Sequence, residues 1–255
     1  MSGAIYLAAS GALLQQMRLE VLSNNLANIN TAGFKQGKTV FSNLFEKDQE
    51  IKETKKNTDN PEISGKQKIT PFTPPFGYYT DLKNGQLQQT GNQLDLSIGS
   101  KGFFTIKAQD GLKYTRNGNF KLDSDGILTT ASGLPVMGKG GTIIISGENI
   151  NVDNEGNLSV DGALIDTLKI VRFEKPEKLT RLGDTLFAAN DDFDKGENAE
   201  AVDIRQGFLE LSNVNAIQAM TEIIESMRVF ESYQKVITSI NDANGKAINE
   251  VGRPA

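Results

Sequence analysis

Leu19-Glu20-Val21-Leu22-Ser23-Asn24-Asn25-Leu26-Ala27-Asn28-Ile29-Asn30-Thr31-Ala32-Gly33 closes the first long periodic stretch of the chain, and its reading decides the fold. Running back from it, Ile29, Leu26, Leu22, Leu19, Gln15, Ala12, Ala8 and Ile5 fall alternately three and four residues apart. That is the spacing of a heptad seam on one helix face, apolar at every position except Gln15. A single polar residue in such a seam can fix register at some cost in stability. The spacing predicts a helix over residues 3–30 that stops in the Asn-rich turn. Asn tolerates the left-handed conformation and its side chain satisfies free backbone groups. Gly33 then supplies a positive φ, and Phe34 pins the emerging chain to a core.

At the other end the pattern is helical again, over residues 215–248. One stripe runs Met220, Ile223, Ile224, Met227, Phe230, and a neighbouring one Val229, Tyr233, Val236, Ile240, Ala243, Ala247. A helix of that length is about 50 Å long and needs a partner over most of it, because helices in water are held chiefly by burial of the apolar face. Between the ends the period changes to two. Leu94-Asp95-Leu96-Ser97-Ile98 and Phe104-Thr105-Ile106 alternate, and Asp110-Gly111, Asn117-Gly118, Asp125-Gly126, Ser132-Gly133 and Asp161-Gly162 read as turns of a hairpin meander. Thr142-Ile143-Ile144-Ile145-Ser146 and Leu168–Phe173 read as further strands, and Asn190–Glu200 as an acidic surface loop.

The expected fold class is α+β: long N- and C-terminal helices pairing as a coiled coil, with a central antiparallel β-rich domain. The expected divisions are 1–46, an N-terminal helix and turn; 47–77, a polar, Pro-rich linker; 78–204, the β-rich domain; and 205–255, the C-terminal helix. The face of the second helix is wider than one partner covers, so a lone subunit would be adhesive. The sequence therefore points to a chain whose ends order fully in an assembly. Its expected interface is Ile5, Ala8, Ala12, Leu19, Leu22, Leu26 and Ile29 on the first helix, with Met220, Ile223, Met227, Phe230, Val236 and Ile240 on the second.

Composition removes several kinds of chemistry. The 255 residues include no Cys, His or Trp. Disulfides, thiol nucleophiles and thiolate zinc sites are excluded, as are the commonest general base and transition-metal ligand. The net charge of −5 gives no basic surface for counterion release from nucleic acid. Basic residues do not precede an apolar run at the N-terminus, and Gln15, Gln16 and Arg18 interrupt it, so no secretory signal is expected. No run reaches the ~20 apolar residues that span a bilayer. Gly138-Lys139-Gly140-Gly141 lacks P-loop spacing and precedes a strand pattern, so a hairpin turn is the better account. Asp123-Ser124-Asp125-Gly126 and Asp192-Phe193-Asp194-Lys195-Gly196 lack the full ligand run of a calcium loop. The adjacent carboxylates Asp191 and Asp192 give no support to a glycosidase. No catalytic residue, cofactor or metal is expected.

Ser23-Asn24-Asn25-Leu26-Ala27-Asn28-Ile29-Asn30-Thr31-Ala32-Gly33-Phe34-Lys35 resembles the N-terminal signature of the flagellar basal-body rod and hook family. Gly207-Phe208-Leu209-Glu210-Leu211-Ser212-Asn213-Val214-Asn215 is similar to its C-terminal signature. Gly102-Phe103-Phe104 and Tyr114-Thr115-Arg116-Asn117-Gly118-Asn119-Phe120, with Gly126, Leu128 and Gly133, agree in the middle. The resemblance covers nearly the whole chain, with a gap over 47–77. It marks Asn24, Asn25, Leu26, Ala27, Asn28, Asn30, Thr31, Gly33, Phe34, Ser212, Asn213, Val214 and Asn215 as motif residues, with Ser212, Asn213 and Asn215 as helix-cap candidates. It implies a structural subunit that passes through the flagellar type III export apparatus. It also implies assembly in the periplasm with its own copies and other rod proteins, terminal helices forming the wall of a tube. Arg228-Val229-Phe230-Glu231 and the start Tyr6–Ala12 look more like the proximal than the distal rod members. Alternatives are a distal rod or hook-type axial protein, and a soluble carbohydrate-binding or hydrolytic β domain with incidental helices.

Overall fold

The structure, a computed structural model, describes residues 2–41, 76–183, 185–189, 196–199 and 202–251. The expected linker at 47–77 and the second calcium-like loop fall largely or wholly outside these residues, as do Asp191 and Asp192.

Two long helices bound the chain: α1, Ser2–Ala27, and α2, Ala216–Val251. Helix α1 stops three residues before the expected end at residue 30. Ile29 leaves the seam and packs with Phe34, Val214 and Ala219. The chain divides into two compact units: residues 1–23, 38–79 and 221–255 in the first, 24–37 and 80–220 in the second.

In the first unit the two helices run antiparallel. Arg18 meets Glu222, and the ring of Tyr233 lies against Gly11. The inward line of α2 in this unit is Ile223, Ser226, Phe230, Tyr233, Ile237, Ile240 and Asn244, each buried or half-buried. The spacing alternates four and three, so a seam of heptad spacing runs down α2 as well. It takes Ile223 and Phe230 from one of the two stripes expected for this helix and Tyr233 and Ile240 from the other. The same unit holds all but the terminal residues Gly37 and Thr80 of a pair of short strands, Gly37–Phe41 and Phe76–Thr80.

The second unit is the antiparallel β region. A six-stranded sheet has the spatial order 180–181, 186–188, 111–115, 103–108, 170–172, 197–198. Strand 103–108 lies at its middle and is buried on both faces, so its side chains divide by parity. Phe104 and Ile106 enter the larger core with Leu96, Ile98, Phe120 and Leu128, while Phe103 enters a smaller one with Tyr114, Val171, Phe173 and Phe187. Edge-to-face contacts tie the aromatic rings of each core, Phe103 to Phe173 and Phe187 and Phe104 to Phe120.

Four of the five turn pairs close turns or hairpins. Asp161 and Gly162 both take positive φ in a two-residue loop between paired Val160 and Ala163, the combination that suits a hairpin's twist. Asn117-Gly118 is the exception. Gly118 lets the chain pass Leu96, whose carbonyl oxygen would lie 1.7 Å from a Cβ there. Thr142–Ser146 forms isolated bridges, Met137 with Thr142 and Ile127 with Ile144, instead of a strand.

Candidate functional site

The N-terminal, central and C-terminal motifs, far apart in the chain, converge on one spot in the second unit. The first begins where α1 ends. Asn28 folds back on the last turn, its Nδ2 donating to Asn24 O at 2.8 Å and its Oδ1 accepting from Thr31 Oγ1 at 3.2 Å. Asn25, 1% exposed, pairs its side-chain amide with the backbone of Gly37 at 2.8 Å in both directions. That imitates a strand partner for a chain that has just left a helix. Gly33 follows at φ +68°, and its N–H donates to Glu210 O at 2.7 Å. Phe34 is buried with Val214 and Ala219, and the Arg181 guanidinium lies 4.2 Å from its ring centroid.

Beneath this junction three charged side chains are buried together. Lys35 Nζ donates to Glu210 Oε1 at 2.5 Å and to Lys83 O at 2.8 Å. Gly85 N–H donates to the same carboxylate oxygen at 2.8 Å. Arg116 comes from the central motif, donating to Ile98 O and Ser100 O at 3.0 Å each, with Nη1 3.6 Å from Glu210 Oε2. Two cations thus share one carboxylate, and the side chains of Lys35, Glu210 and Arg116 are 0%, 1% and 4% exposed. Burial pushes the Lys35 ammonium below its ordinary pKa, Glu210 opposing this only in part, and burial likewise lowers that of Arg116.

The C-terminal motif closes the junction. Asn213 Oδ1 accepts from Gln36 N at 2.7 Å, while its Nδ2 donates to Asp81 O at 2.8 Å and Lys83 O at 3.1 Å. Ser212 Oγ accepts from Val214 N at 3.3 Å, a local turn. Of the three cap candidates, Asn215 caps α2, its Oδ1 accepting from Gln218 N at 3.1 Å. Asn213→Ala is expected to cost about 1–3 kcal/mol, since it removes the side-chain bonds to Gln36 N–H and Asp81 O, both half-buried. Urea unfolding measures this, and a loss under about 0.5 kcal/mol would remove Asn213 from the junction.

The same three stretches are recognised in known proteins. Residues 5–35 match the family described as flagella basal body rod protein, 97–160 the flagellar hook protein FlgE/F/G D1 domain, and 205–250 the flagellar basal body rod FlgEFG protein C-terminal family. FlgG of Bacillus subtilis is 32% identical, over 96% of this chain and 98% of its own. FlgF of Salmonella typhimurium is 32% identical over 97% of both chains, and FlgF of Caulobacter vibrioides 28% over 99% of both. The chain belongs to the flagellar basal-body rod protein family. In this family member, the buried junction is where the signatures meet.

The residues expected at the assembly interface of the rod protein fall into two sets. Ala8, Ala12 and Leu22 are buried, and Ile5, Leu19, Leu26, Ile29, Ile223, Phe230 and Ile240 half-buried, most of them on the inward-facing sides of the two helices. Met220, Met227 and Val236 are exposed. With Ile217 and Ile224, the two methionines make a second stripe on α2 at spacings of three and four, each residue at least 50% exposed. Tyr6, Leu7 and Leu13 are exposed on α1. Single-chain burial thus takes the seam and leaves the stripe.

Lys35, Arg116 and Glu210 were not among the expected site residues, although each lies inside a quoted motif. The acidic turns direct carboxylate oxygens onto their own backbone. Asp123 accepts from Asp125 N at 2.9 Å and Ile127 N at 2.8 Å. Asp153 repeats the arrangement with Glu155 N and Asn157 N at 2.9 Å each. A hydrogen bond from the Asn157 side chain helps hold the Asp153 carboxyl below its usual range. These carboxylates close hairpins. Among the described residues no group of His, Cys, Asp or Glu could hold a metal, and no helix is long and apolar enough to cross a membrane.

Proposed function

We propose that this chain is a structural, non-enzymatic subunit of the flagellar basal-body rod that polymerises through the helix pair, the Ile217–Met220–Ile224–Met227 stripe of α2 packing on neighbouring subunits. The observation that carries this reading is the stripe itself: four large apolar side chains in line, each at least half exposed. A row of that kind is adhesive in water. Its heptad spacing suits a second helix, so α2 would use one face inside its own chain and another between chains in coiled-coil fashion.

The partners are copies of this chain and other rod proteins. Delivery through the flagellar export apparatus, and residence in the periplasmic part of the rod, belong to the same reading. Arg228-Val229-Phe230-Glu231 favours a proximal position, with a distal rod or hook-type position as the competing placement. The divisions 1–46, 47–77, 78–204 and 205–255 are proposed as functional segments, the first and last forming the assembly core.

The test replaces Met220, Ile224 and Met227 by Glu together. Their side chains point to solvent in the single chain, so the purified variant should keep its helix content and melt within about 3 °C of wild type. Cells carrying it should lose swimming and yield basal bodies without a complete rod. Normal rods built from the variant would sink the stripe mechanism.

A further inference from the structure

We infer that Asn84-Gly85 is a spontaneous deamidation site, and that Glu210 keeps it silent in the folded chain. Asn-Gly pairs occur at 84–85, 117–118 and 244–245. Glycine after Asn leaves the following nitrogen unshielded by a side chain, which makes such pairs the usual point of attack in a thermolabile asparagine. In the reaction the Gly85 nitrogen gives its proton to water or hydroxide and bonds to Asn84 Cγ. Ammonia carries away Nδ2. Water then opens the five-membered imide at either carbonyl, leaving aspartate or isoaspartate.

Of the three asparagines only Asn84 is exposed, its amide making a long 3.4 Å contact to Gly99 O. Asn117 is half-buried, and Gly118 is pressed against Leu96. Asn244 is half-buried within α2. Exposure alone would leave Asn84 open to reaction, but its backbone is fixed on both sides. Lys83 O accepts from Lys35 Nζ at 2.8 Å and from Asn213 Nδ2 at 3.1 Å. Gly85 N–H donates to Glu210 Oε1 at 2.8 Å. A Cβ on Gly85 would stand 1.9 Å from Leu211 O, and Leu211 N–H donates to Gln86 O at 2.8 Å.

Attack on Cγ requires the Gly85 nitrogen to lose its proton and its peptide plane to turn. Both steps break the bond to Glu210, a strong one because its acceptor is ionised. The reaction is thereby confined to chains in which this loop has come away from the junction. Its main product then keeps the junction from closing. Isoaspartate lengthens the main chain by one methylene, and a loop held at Lys83 O, Gly85 N–H and Leu211 has no slack to take it up.

Peptide mapping by mass spectrometry of the purified full-length chain, aged in mildly alkaline buffer, tests the inference. Position 84 should deamidate in guanidinium, and at least about tenfold more slowly in the folded chain. Asn84→Gln should remove the signal. Lys35→Met loosens the junction but leaves Gly85 its carboxylate acceptor. Glu210→Gln should therefore react at least about fivefold faster than Lys35→Met, compared where the two variants are equally unfolded. If Glu210→Gln does not fold, the wild type carries the test: Gly85 amide exchange and the reaction at Asn84 should accelerate together as dilute guanidinium is added. Equal rates in folded and unfolded wild type, no reaction at position 84 in guanidinium, equal rates in the two variants, or exchange and reaction that rise independently overturns the inference. Chains carrying isoaspartate at position 84 should melt at least about 5 °C below wild type after refolding, and an unchanged melt would overturn the claim about the product. None of these readouts depends on rod assembly, so this inference and the stripe mechanism can fail separately.

Discussion

Glu210→Ala is expected to be among the most damaging single substitutions in the chain, costing about 3–5 kcal/mol, the range for removing one partner of a buried ion pair. The reason is the surplus of cations. Lys35 and Arg116 share this one carboxylate in a pocket that water hardly reaches. Without it, two positive charges face each other unscreened, and Gly85 N–H loses its acceptor. Lys35→Met should cost less, because it leaves Glu210 and Arg116 as a balanced pair. The order of the two losses tests the charge argument, apart from packing. Urea unfolding followed by tyrosine fluorescence would measure both, and equal losses would show that packing, not charge balance, governs the cluster. The pH dependence has a definite sign. The folded chain releases the Lys35 proton at lower pH than the unfolded chain does, so this group's contribution to stability grows as pH rises between the folded pKa and 10.5. Glu210→Gln removes the main influence holding that pKa up, so in the variant the window should extend to lower pH.

The helices, the β middle and the family motifs were legible because each leaves a one-dimensional trace. Heptad spacing marks α1, period two marks the strand through Phe104 and Ile106, and Asp161-Gly162 marks a hairpin. Gly33 was legible for the same reason, since an Asn-rich helix end followed by Gly specifies a left-handed residue. What the sequence hid is what depends on distance across the fold. Lys35, Arg116 and Glu210 look like solvated charges, and only the crossing of three remote segments buries them together. The inward line of α2 was hidden too. Its face is apolar on both sides of the seam, and Ser226 and Asn244, which lie on the line, carry no apolar signal. Asn117-Gly118 misled because a glycine needed for close passage of two backbones reads the same as one needed for a turn.

Gly33→Ala is the other large expected loss, and it separates two costs that glycine substitutions usually mix. Gly33 and Gly91 have nearly the same backbone, φ +68° and +75°. A side chain at either pays for the left-handed conformation, about 1–2 kcal/mol. At Gly91 nothing lies within 4 Å of an added Cβ. At Gly33 the added Cβ would sit 2.2 Å from Asn117 N and 2.4 Å from Arg116 C, backbone atoms that cannot swing aside. Relief requires the N-terminal motif to lift off the central one. That movement strains the Gly33 N–H bond to Glu210 O and disturbs the ion cluster next to it. Gly91→Ala should therefore cost about 1–2 kcal/mol and Gly33→Ala about 4 kcal/mol or more, the range reserved for steric conflict in a packed interior. If the two variants unfold within about 0.5 kcal/mol of each other, the close approach of the motifs is not what the glycine is for. If Gly33→Ala is the more costly by the expected margin, the signature glycine is explained by a contact at which all three motifs meet.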